Sequence, residues 1–69
     1  MIEIFTTSVT DESQAASIIA QLQLHIPDCS INFDLEDCDR ILRIKGENFS
    51  ISSIIELIQL QGFFCSHLK

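Results

Sequence analysis

The chain has 69 residues, 46% apolar and 20% charged, with a formal net charge of −6. That suffices for a single domain, taken here as residues 1–69, around one core, and the chain is too rich in Ile, Leu and Phe to be disordered. All four basic residues (Arg40, Arg43, Lys45, Lys69) lie beyond position 39, so the clustered positive charge that binds nucleic acid or an anionic membrane is missing.

The opening "MIEIFTT" has no basic n-region and no long apolar run, so neither a signal peptide nor membrane insertion is expected, and a cytoplasmic location is the default. Ile2 to Val9 is rich in β-branched and apolar residues, which predicts a first strand. Ala15, Ile18, Ile19, Leu22 and Ile26 recur every three or four residues, which predicts a helix over about 12–25 that Pro27 stops. Ile31, Phe33 and Leu35 then alternate with Asn32, Asp34 and Glu36, and Leu42 and Ile44 alternate with Arg43 and Lys45. The aspartates of Glu36-Asp37-Cys38-Asp39 turn the chain between them, giving a β-hairpin whose acidic and basic outer faces would meet. Ser50 suits the N-cap of a second helix with the stripe Ile51, Ile54, Ile55 and Ile58, Gly62 suits its end, and "FFCSHL" closes the chain as a last strand.

The order β-α-β-β-α-β predicts an α+β, ferredoxin-like sandwich: a four-stranded antiparallel sheet of order 4-1-3-2 with both helices on one face. Three turns would then share one end: the junction at Thr10-Asp11, the hairpin tip at Asp37-Cys38, and the Gly62-Phe63 corner. Any site built from loops would sit there.

Over nearly its whole length the chain resembles the heavy-metal-associated domain, the fold of copper chaperones and of the N-terminal modules of metal-pumping ATPases. The likeness lies in "FTTSV" before the junction, in Ile18 and Leu22, in "INFDLEDCDRILRIKG", and in "SIIELIQLQGF". The family's functional motif, M-x-C-x-x-C, is absent: its two cysteine positions fall on Asp11 and Gln14. Soft ions such as Cu(I) prefer thiolates, and a carboxylate plus a neutral amide do not replace two of them. Asp11 can instead cap the helix by accepting from the Gln14 N–H while the Gln14 side chain reaches back to the Asp11 backbone, a variant capping box.

Three cysteines (Cys29, Cys38, Cys65) without close pairs make no disulfide framework and read as free thiols. Cys38 and Cys65 fall toward the loop end, but with the hairpin and the last strand on opposite edges they would stand about three strand spacings, ~14 Å, apart. Cys65 and His67 share a strand face, and two ligands fall short of a structural zinc site. The acidic tip Asp34, Glu36, Asp37 and Asp39 fails the EF-hand pattern, because the sixth and twelfth positions counted from Asp34 are Asp39 and Lys45. His25 sits where an imidazole can cap helix carbonyls. Leu24, Leu57, Leu60, Ile41, Phe49 and one of Phe63 and Phe64 lie off the core stripes, which allows a homo-oligomer or a docking face.

With no catalytic residues, phosphate loop or cofactor site in view, the expectation is a non-enzymatic protein-binding or adaptor domain whose partner carries a basic surface. The alternative is a protein that binds or traffics Cu(I) or Zn(II), weakly, through relocated ligands (Cys38, Cys65, His67) or a site shared across a dimer.

Overall fold

A computed structural model describes residues 1–68. The elements run β1 (Ile2–Thr7), α1 (Glu12–His25), β2 (Ser30–Asp34), β3 (Ile41–Lys45), α2 (Ile51–Leu60) and β4 (Cys65–Leu68). The four strands form one open antiparallel sheet ordered β2-β3-β1-β4, which counted from the β4 edge is 4-1-3-2.

Strand alternation decides which residues meet the helices. Phe5 lies opposite Leu42, Leu42 opposite Phe33, and Ile44 opposite Ile31, so these side chains share one face of the pleat. They join Ile18 and Leu22 of α1, Ile54 and Ile58 of α2, and Cys65 of β4 in a single buried cluster. The opposite face carries Ile2, Ile4 and Leu68, of which Ile2 and Leu68 are exposed. Ile41 belongs to that face by its register with Thr6 and Asp34, off the core stripe as expected and outside the core cluster, yet it is buried.

The helix boundaries follow local chemistry. Asp11 Oδ1 accepts from the Gln14 N–H at 2.7 Å, and Ser50 Oγ accepts from the Ser53 N–H at 3.3 Å, so each helix starts on a side-chain cap. α1 ends at His25, two residues before Pro27; its exposed imidazole makes no hydrogen bond among the described residues, and the terminal bond runs instead from the Ile26 N–H to the Leu22 carbonyl. At the end of α2 the Gly62 N–H reaches the Gln59 carbonyl and the Phe63 N–H the Ile58 carbonyl, the two bonds of a Schellman motif. Gly62 supplies the φ of 92° that this motif requires.

Two local expectations are corrected. β1 ends at Thr7, not Val9, because the Thr7 hydroxyl accepts from the Val9 N–H and so turns the chain out of the ladder. The hairpin's outer faces do not pair acid against base: Asn32 lies opposite Arg43, Ser30 opposite Lys45, and Asp34 opposite Ile41. Arg43 Nη1 donates to Asn32 Oδ1 at 3.2 Å. The close contact of a carboxylate with a basic side chain among the described residues is instead that of Glu3 Oε1 with His67 Nε2 at 2.7 Å, at the end of the sheet away from the three turns.

Candidate functional site

The three turns do meet at one end, and hydrogen bonds tie them together. The Thr7 N–H reaches the Asp39 carbonyl at 3.3 Å, and the Thr7 hydroxyl donates to the Arg40 carbonyl at 2.7 Å. Ser8 bonds Phe64 twice, its N–H to the Phe64 carbonyl at 3.2 Å and its Oγ accepting from the Phe64 N–H at 2.8 Å. Hydrogen bonds thus join the end of β1 to the hairpin on one side and to the corner on the other. The hairpin tip also leans onto β1: Cys38 adjoins Asp39, whose carbonyl bonds Thr7, and Thr7 lies opposite Cys65.

At the junction itself Asp11 caps α1 as expected, but Gln14 does not reach the Asp11 N–H. Its Oε1 accepts from the Thr10 N–H at 3.1 Å and from the Thr10 hydroxyl at 3.3 Å, one residue earlier. The junction therefore offers one carboxylate oxygen already engaged by an amide and one amide oxygen already engaged by Thr10. With no sulfur among them, these residues do not fit the soft ion that the resemblance implies.

The relocated ligands are not gathered into a cluster. Among the described residues, the group of potential ligand atoms lying within 4.8 Å of one another is Asp37, Cys38 and Asp39, all exposed, and it includes neither Cys65 nor His67. Asp37 Oδ1 there accepts from the Asp39 N–H at 2.9 Å, an Asx turn that needs no ion. Arg40 completes this turn with a φ of 49°, its own N–H on the Asp37 carbonyl. Cys65 is buried, and burial pushes its thiol up from 9.0 to about 11, away from the thiolate form that binds metal. His67 is held by Glu3 and lies against the Phe5 ring at 5.4 Å between centroids. Cys29 is buried beneath Gly46.

A wider concavity lies elsewhere. A cleft of about 620 Å³ runs between α1 and the edge strand β2, lined on the helix by Glu12, Ala15, Ala16 and Ile19. Its other wall is Asn32 to Glu36, with Arg43 at the margin. Two adjacent alanines facing a strand leave the space that larger side chains would fill. Phe33, Leu35 and Ile19, each half-buried, give it apolar walls, and Glu12, Asp34 and Glu36 give it three carboxylates against one guanidinium. Among the described residues β2 has β3 on one side and no strand on the other, so its outer backbone N–H and C=O groups, along the edge that borders this cleft, have no ladder partner.

Reading the sequence for loop sites missed this cleft. The legible signal was Ala15-Ala16 in the helix together with acids flanking an edge strand, but which strand is the edge is a property of the sheet order. The chain matches no family model and no curated protein. No helix among the described residues is long and apolar enough to cross a membrane.

Proposed function

We propose that the chain is a ferredoxin-like, non-enzymatic binding domain, built as heavy-metal-associated domains are but serving protein recognition instead of metal transfer. The observation that carries this reading is the junction at Asp11 and Gln14. Where the family keeps two thiolates, this chain has a helix cap whose acceptor is occupied at 2.7 Å. The remaining thiols support the same view, since Cys29 and Cys65 are buried and Cys38 stands exposed on a tight turn. The α1–β2 cleft is a docking surface of suitable shape, and the acidity of its walls matches the net charge of −6 in selecting a basic partner.

Titration of the reduced protein with Cu(I), and separately with Zn(II), tests the reading against metal transfer. Binding no tighter than that of a single exposed thiol is expected. A tight complex of one ion per chain would overturn the proposal.

A further inference from the structure

We infer that the α1–β2 cleft takes an extended basic peptide, which adds to β2 as a fifth strand of the sheet. This inference rests on the binding-domain reading above and names the partner's chemistry. Three features of the cleft point the same way. First, the outer edge of β2 offers unpaired backbone donors and acceptors, which an extended chain satisfies along its length. Second, α1 stands over that edge at a distance set by Ala15 and Ala16, leaving room for side chains of an added strand between helix and sheet. Alternate residues of such a strand would point into the slot against Ile19, Phe33 and Leu35 and select apolar groups. Third, Glu12 on α1, Asp34 at the end of β2 and Glu36 just past it border the cleft, Asp34 from the sheet face opposite the helices, and the only cation lining it among the described residues, Arg43, is engaged by Asn32. The intervening residues of the peptide, whose side chains stay at the rim, are therefore lysine or arginine.

Charge also decides among the other occupants of a free edge. A second copy of this chain would bring its own Asp34 and Glu36 beside these, along with a further net charge of −6. Like charges placed directly across a strand pair oppose pairing, so an edge-to-edge dimer is disfavoured. A polyanion is repelled for the same reason. The stretch Ser30 to Glu36 spans seven residues, roughly 23 Å of extended chain, so a partner segment of that length suffices.

The experiment uses a nine-residue peptide of alternating lysine and valine, capped at both ends, titrated into the isotope-labelled protein and followed by amide shifts. Shift changes are expected to concentrate on 30–36 and on the face of α1 from Glu12 to Ile19, with binding that weakens as salt is added. Two N-methylated peptides, one blocked at odd and one at even amides, test strand addition: one set should abolish binding and the other retain it, because only alternate amides face β2. Ala16→Trp fills the slot from an exposed helix position and should weaken binding at least tenfold. Glu12→Gln with Glu36→Gln should weaken it about fivefold, and a glutamate–valine peptide should not bind.

The inference is overturned if the peptide does not bind at millimolar concentration, or if both N-methylated forms bind as well as the parent. It is overturned equally if the shifts fall on the open face around Ile2, Ile4 and Leu68, or if 30–36 shift on concentrating the protein alone, which would make the occupant a second copy. None of these outcomes touches the binding-domain reading, which fails on tight stoichiometric metal binding instead.

Discussion

Replacing Asp11 with Ala tests whether the junction acts as a helix start. The substitution removes one hydrogen bond, Asp11 Oδ1 to the Gln14 N–H at 2.7 Å. The Ala15 N–H keeps its bond to the Asp11 backbone carbonyl at 3.1 Å, and the Gln14 Oε1 bond to the Thr10 N–H does not involve the Asp11 side chain. The loss is therefore that of one exposed N-cap, about 1 kcal/mol within a range of roughly 0.5–2. In a domain of this size that lowers Tm by about 4–8 °C, and with a urea m-value of about 1 kcal/mol/M it lowers the midpoint by about 1 M. Thermal melts and urea unfolding, both followed by far-ultraviolet circular dichroism at pH 7, measure the two quantities. Asp11→Asn keeps the acceptor and removes only the charge, so at this exposed position it should recover most of the loss, short of about 0.3 kcal/mol of helix-dipole interaction. The reasoning is refuted if Asp11→Ala unfolds with the parent, or if Asn costs as much as Ala, since then the acceptor contributes nothing. A change in metal affinity on Asp11→Ala would show instead that the junction is a metal site.

Four further outcomes are expected. Asp11→Cys with Gln14→Cys places two thiolates at the helix start, where the dipole favours their ionised form, and should bind Cu(I) more tightly than the parent does; a folded double variant that binds no better would break the correspondence with the metal loop. Gly46→Ala would bring a Cβ within 2.5 Å of Cys29 Sγ and should cost about 1–3 kcal/mol in urea unfolding, and adding Cys29→Ala should return part of it by removing that sulfur. Alkylation by iodoacetamide of the native protein, read by mass spectrometry, should mark exposed Cys38 first and the buried Cys29 and Cys65 only after opening. Because the Cys65 thiol is raised from 9.0 to about 11, the unfolded chain loses this proton first. Its contribution is therefore intact below pH 9 and is lost as pH rises toward 11, at most about 2–3 kcal/mol. Cys65→Ala should lack that part of the alkaline decline, and parallel stability curves for the two proteins would contradict it.

What the sequence determined by itself is what short-range chemistry controls. Alternation in Ile31-Phe33 and Leu42-Ile44, the stripe of Ile18 and Leu22, the stop at Pro27, the cap at Ser50 and the turn at Gly62 each act within a few residues. They yield the element order and most of the core without reference to distant parts of the chain. What only the tertiary structure decided rests on pairs far apart in sequence. Thr7 leaves its strand with its hydroxyl on the Arg40 carbonyl, 33 residues away, and Ser8 is tied to Phe64 across 56. Glu3 finds His67 across 64. Ile41 is buried on the face where alternation with Leu42 would leave it exposed. The α1–β2 cleft belongs to the same class, because Ala15 and Ala16 are ordinary helix formers until the sheet order sets an edge strand beside them. Local sequence reports backbone preference and amphipathic period, whereas an edge, a cleft or a tied loop end exists only after distant segments are brought into register.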